Sequence, residues 1–277
     1  MSQSLNQFVS NRILVLVALI ALTPVLLLVV ELPTRNWLIP FIGSPILLRI
    51  TSDFLLQLLL PVLTVAGVDW VLRDHPDVRA GEVPFLFPFW TSPALAAFAL
   101  GSLLTRIEAW GVWITVLFVG VLVIGVLVYN EYITISPSDL RYGQARLIVT
   151  ALTYIITFVL FASIYSGRER TALSATQTML VAFALSLDLL APHLIGLRTA
   201  LLHSGIIAWL IGQATWAMNY WNVSNWSAGV LLLALFYVAV GLTQQFFQGQ
   251  LRRNVLIEYG LVTLLALIVA RQLAGVR

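Results

Sequence analysis

The chain has 277 residues, 60% of them hydrophobic and 10% charged, with a mean hydropathy of +0.96. Soluble domains carry about a quarter charged residues, so this composition excludes an ordinary soluble protein and indicates an integral membrane one. The net charge is +3, with arginine as the basic residue and neither lysine nor cysteine present. That excludes Schiff-base lysine chemistry, thiolate nucleophiles, disulfides and thioether-linked haem, and no basic cluster of nucleic-acid-binding type occurs.

In chain order, Met1 to Arg12 reads as a short polar lead. Ile13 to Val30 is an apolar run of about eighteen residues, too long for a signal-peptide core and without a small-x-small cleavage site. It reads as a retained first span, bent at Pro24. Trp37 to Arg49 is apolar but interrupted by Pro40, Gly43 and Pro45, and too short to cross, which predicts an interfacial or re-entrant segment.

Thr51 to Leu72 is the second span and the most polar one. It carries Asp53, Gln57, Thr64 and Asp69 around Pro61. At 3.6 residues per turn, Asp53, Gln57, Thr64 and Gly67 share one stripe. Arg49 precedes Asp53 by four residues and Arg73 follows Asp69 by four, a spacing that lets each pair meet at a helix end. Two interfacial ion pairs are the plain reading, since charge is cheap at a membrane rim and costly at its centre. Pro61 cannot donate to the carbonyl of Gln57. A free carbonyl beside an amide is a polar break that can hold water or a ligand, so Gln57, Thr64 and Asp53 form a candidate ligand site.

Arg73 to Trp90 reads as the longest polar connection, lying on the membrane surface through Phe85, Phe87, Phe89 and Trp90. The third and fourth spans cover about Pro93–Thr105 and Ala109–Asn130, and Glu131 to Gln144 reads as a second surface loop. Spans five to nine follow at about Arg146–Ser166, Leu173–Leu190, Thr199–Met218, Ala228–Phe247 and Asn254–Arg271. The expectation is an all-α polytopic transmembrane bundle of about nine spans, eight if the third does not cross. It forms a single transmembrane domain over residues 1–277 with no extramembrane domain. Ala97, Gly101 and Thr105, and again Ser204, Ala208 and Gly212, recur every four residues. Such small-residue stripes allow close helix contact and are candidate surfaces for other membrane proteins or for self-association.

The chemistry-bearing residues are sparse. Asp69, Arg73, His75 and Asp77 form a polar cluster at one rim and are the candidates for an enzymatic site, although Asp74-His75-Pro76-Asp77 lacks metal-ligand spacing and reads first as a solvated turn. His193 and His203 each stand alone at a helix end. Asn222-Val-Ser224 and Asn225-Trp-Ser227 match the glycosylation tripeptide but lie close to a membrane surface. Asp188 and Glu258 also fall near span ends. The carboxylates thus gather at the two rims and leave the middle to Gln57, Thr64, Thr115, Thr157, Gln177 and Gln213. A proton relay needs ionisable groups inside the membrane, so a proton-coupled pump is disfavoured. No catalytic residue, metal or cofactor is assigned.

Gly67-Val-Asp69-Trp70-Val-Leu-Arg73-Asp-His75-Pro76 and Arg170-Thr-Ala-Leu173-Ser174-Ala175 carry a family resemblance, with Asn219-Tyr220-Trp221, Phe236-Tyr237 and Glu258-Tyr259. On these pieces the chain resembles an uncharacterised family of bacterial multi-pass membrane proteins, a domain of unknown function. The resemblance implies a bacterial inner membrane and supplies no activity. The expected role is a non-catalytic scaffold, assembly factor or accessory subunit, with membrane lipids as neighbours. The alternatives are a transporter or binder of a lipid-like molecule near Gln57 and Pro61, or an enzyme using the rim cluster.

Overall fold

In a computed structural model of the protein, the described residues are 2–30, 34–41, 44–83, 85–167, 171–191, 196–221, 223–250 and 252–275. Their elements are α1 (Ser2–Val29), β1 (Arg35–Phe41), β2 (Ser44–Ile50), α2 (Ser52–Leu72), α3 (Pro76–Arg79), α4 (Pro88–Leu104), α5 (Trp110–Thr134) and α6 (Tyr142–Ser166). α7 (Thr171–Leu190), α8 (Leu197–Asn219), α9 (Asn225–Phe247) and α10 (Arg253–Gly275) follow. Each of the nine expected spans is a helix. Seven of them, α1, α2, α5, α6, α7, α9 and α10, are long and apolar enough to cross a membrane. α4 is shorter at 17 residues, and α8, although 23 residues long, is interrupted by Arg198, His203 and Gln213.

The short segment after α1 is not helical. β1 and β2 pair antiparallel, with Pro40 opposite Pro45 and Trp37 opposite Leu48. Proline lacks the donor a helix interior requires and its ring obstructs the preceding turn, so two prolines within this stretch favour extended chain.

Several boundaries differ from the sequence reading. The polar lead is the first part of α1, because an apolar run of this length carries its helix back over neighbouring polar residues with no proline to stop it. The connection after α2 contains α3, and α4 begins at Pro88, so Phe89 and Trp90 are helical. Proline at the first helical position is pre-set for that start. Glu131 is not in a surface loop. α5 runs to Thr134 and Glu131 is fully buried. Asp188, in the last turn of α7 as its spacing predicts, is buried as well. Burial depends on which neighbours arrive from distant sequence, and local spacing does not report it.

The chain divides into two compact units, Met1–Val149 and Thr150–Arg277. In the first, α2 packs against α1 and α4, and α5 packs against α1 and α4. A Cβ added at Gly101 of α4 would stand 3.4 Å from Leu60 Cδ1 and 3.5 Å from the Gln57 Cα of α2. The Ala97/Gly101 stripe therefore seats α4 on α2, and Ala97 is completely buried.

In the second unit, α7 and α8 are joined along the other stripe. Ser204, Ala208 and Gly212 are all buried. Thr178 and Thr215 share a 2.9 Å hydroxyl hydrogen bond, and Asn219 Nδ2 donates to Ser174 Oγ at 2.8 Å. α9 is held to α7 by Gln244 Nε2 donating to the Leu189 carbonyl at 2.9 Å. Phe236 of α9 lies between Phe161 and Tyr154 of α6, ring edges to ring faces. α10 packs on α9 and leaves most of its length exposed.

Candidate functional site

The carboxylates of α2 lie near its two ends, with Gln57 and Thr64 between them. At the first, Thr51 caps the helix by accepting from the Phe54 N–H at 3.2 Å. Asp53 sits in the first turn, where a carboxylate is favoured by the unpaired N–H groups, and it is exposed. Its expected partner Arg49 has a side chain outside the described residues. Gln57 is half-buried, and its Nε2 donates to Thr105 Oγ1, beyond the end of α4, at 3.5 Å. Thr64 is completely buried and donates back to the Leu60 carbonyl at 2.7 Å, a bond within its own helix. Asp53, Gln57 and Thr64 thus do not converge. The amide is directed to α4, the hydroxyl to its own backbone, and the carboxylate to the outside.

At the other end, Asp69 Oδ2 and Arg73 Nε are 2.5 Å apart, the expected i, i+4 pair, with Arg73 largely exposed. The stronger cluster is centred one residue further on. Asp74 is ion-paired both with Arg12 of α1 and with Arg79 of α3. Arg12 also donates from Nη1 to the Trp70 carbonyl at 2.9 Å, and its guanidinium lies 4.5 Å from the Trp70 ring centroid. A planar cation over an indole face gains from the ring quadrupole, and the carbonyl it meets lies in the last turn of α2, where carbonyls lack a full set of partners within the helix.

His75 is buried rather than solvated. Its Nδ1 accepts from the Asp77 N–H at 3.2 Å and caps α3, which assigns the proton of the neutral ring to Nε2. The ring stands edge-on to Tyr132 of α5, with centroids 4.7 Å apart. Burial pushes the His75 imidazole below its ordinary value, against the opposing pull of Asp77 and Asp139. Asp139 is held below the usual carboxylate range by hydrogen bonds from the Arg141 side chain and backbone. Arg141 in turn donates to the Tyr129 hydroxyl at 3.0 Å.

Of the rim residues read from sequence, Asp69 and Arg73 meet, and His75 and Asp77 meet through the backbone. Arg12, Arg79 and Tyr132 were missed, and Asp74 was read only as part of a solvated turn. The available signal for Arg12 was its position immediately before an apolar span, where an arginine with a long stem commonly folds back along a helix end. The arrangement is a clasp: one carboxylate between two guanidinium groups ties α1 and α3 to the end of α2. Among the described residues, no three His, Asp or Glu side chains are placed to hold a metal ion.

His203 Nδ1 lies 2.8 Å from the Thr199 carbonyl, and its ring packs against Phe247. His193 and Asn222 lie outside the described residues.

A family model described as "Protein of unknown function (DUF5656)" matches residues 32–273. No curated protein and no solved structure matches the chain.

Proposed function

The chain belongs to the family of proteins of unknown function DUF5656, and from its own geometry we propose a multi-pass protein of the bacterial inner membrane that works without catalysis, as a scaffold or accessory subunit. Seven helices of sufficient length and apolarity support the membrane placement. The observation that carries the non-catalytic reading is the clasp. Asp74, between Arg12 and Arg79, is engaged by its own chain and joins three helices, which is what a structural ion pair does. Thr64 and the Thr178–Thr215 pair are likewise bonded within the chain.

The reading is tested by extracting native membranes in a mild detergent, cross-linking, and identifying proteins that co-purify at fixed stoichiometry. A reproducible membrane-protein partner is the expected result. A monodisperse, partner-free protein would count against it.

One observation favours a second reading, a site for a small hydrophobic or lipid-like molecule beside Gln57. The Gln57 amide is only half-buried, and its bond to Thr105 is at the long limit of hydrogen-bond geometry. Under that reading Gln57→Leu leaves folding intact and abolishes ligand retention.

A further inference from the structure

We infer that the groove between α9 and α10 receives an acyl chain of an anionic phospholipid, with Arg271 taking the headgroup phosphate. The groove has a volume of about 240 Å³ and is walled by Leu231, Leu235 and Val238 of α9 and by Thr263, Ala266 and Leu267 of α10. Its one hydroxyl, on Thr263, donates to the Tyr259 carbonyl at 2.8 Å, so the walls offer a ligand hydrocarbon contact. A polar solute would lose its hydration there without compensation, whereas a chain of methylenes would not.

The charge lies at one end of the same stripe. Thr263, Leu267 and Arg271 are spaced by four residues and so lie one above another on α10. Arg271 stands one turn, about 6 Å, beyond the groove wall at Leu267. Ser227 Oγ donates to the Ala270 carbonyl at 2.8 Å, which pins the first turn of α9 to that same turn of α10. Leu231 begins the wall one turn inside Ser227. The interval between wall and guanidinium suits the glycerol portion of a lipid, below its phosphate.

Arg271 is exposed, and the ion pairs formed among the described residues involve other arginines. Glu258, on the same helix, is about 20 Å away along the axis. Trp221 and Trp226, both exposed, mark this end of α9 as headgroup level. An uncompensated guanidinium at that depth favours a lipid of net negative charge over a zwitterionic one with identical chains.

The inference rests on the proposed membrane placement of α9 and α10. The full chain in a mild non-ionic detergent is offered dioleoyl phosphatidylglycerol or dioleoyl phosphatidylcholine, and retained lipid is counted by native mass spectrometry. Wild-type protein retains the anionic lipid in about fivefold excess. Arg271→Gln equalises the two lipids, and Ala266→Trp, which fills the groove, abolishes retention of both. Thr263→Trp, at an exposed position, blocks the same groove should Ala266→Trp fail to keep the wild-type helix content and gel-filtration profile.

Equal retention by the wild type, or a preference that survives Arg271→Gln, overturns the inference. Unaltered retention in a folded groove-filled variant does the same. Alkaline extraction of cell membranes separates the two failures. A chain released by carbonate removes the membrane placement itself, and one that stays in the membrane without lipid preference removes only the site.

Discussion

Arg12 and Trp70 are 58 residues apart in sequence, yet Arg12 Nη1 donates to the Trp70 carbonyl at 2.9 Å while its guanidinium covers the indole of the same residue. With Asp74 ion-paired to Arg12 as well, one side chain of α1 meets the backbone, the ring and the adjoining carboxylate at the end of α2. Arg12→Gln is therefore expected to destabilise the protein by about 1–3 kcal/mol, since the pair is only partly buried. Thermal unfolding in detergent measures this. Asp74→Asn should have a similar effect, and the double variant should lose less than the sum of the two. Strict additivity would mean that the clasp does not couple the helices.

His75 sets a pH dependence whose sign follows from its burial. The ring is neutral when it accepts from the Asp77 N–H, and its folded-state value is depressed below the ordinary one of about 6.5. The unfolded chain then takes up the proton first. Its contribution is fully present above the unfolded value and is lost as pH falls from there through the folded value. A drop in unfolding temperature on acidification through that window is expected. His75→Asn, which keeps a capping acceptor but cannot titrate, should flatten the response. A variant whose profile tracks the wild type would remove His75 as the cause.

Two glycines at helix contacts should respond in opposite ways. At Gly101 a methyl meets its nearest neighbour, Leu60 Cδ1, at 3.4 Å, an ordinary contact. Gly101→Ala should be neutral or stabilising by up to about 1 kcal/mol through helix propensity. At Gly229 a methyl would fall 2.9 Å from Ala162 Cβ and 3.2 Å from its Cα. Backbone cannot swing aside, so Gly229→Ala should cost about 1–3 kcal/mol. Equal effects in the same unfolding assay would show that α6 and α9 are not in this close contact.

Thr178 and Thr215 share a buried hydroxyl bond, while each also donates or can donate to a carbonyl of its own helix. Because Thr215 keeps its bond to the Ile211 carbonyl when Thr178 is replaced, the coupling in a double-valine cycle should be about 0.6 kcal/mol and no larger than about 1.7 kcal/mol. A much greater coupling would identify this bond as the main tie between α7 and α8.

The helices were legible because they depend on local quantities. The length of an apolar run and its freedom from breakers place α2 or α9 to within a few residues, and a four-residue spacing brings Asp69 to Arg73. The two small-residue stripes were legible as contact surfaces, although not which helix each would meet. The α9–α10 groove was not legible, since a cavity is a property of how two surfaces fail to fill the space between them.

By itself the sequence determined the class of the molecule, its apolar helices, the pairing of neighbours one turn apart, and its membership of a family recognisable along most of its length. Only tertiary packing decided that Glu131 and Asp188 are buried, that His75 lies against Tyr132, and that Arg12 reaches Trp70 and Asp74. Hydrogen-bonded turns repeat along one strand of chain and leave a local imprint in residue order. Contacts between helices arise where two such surfaces meet, and neither surface alone records its partner.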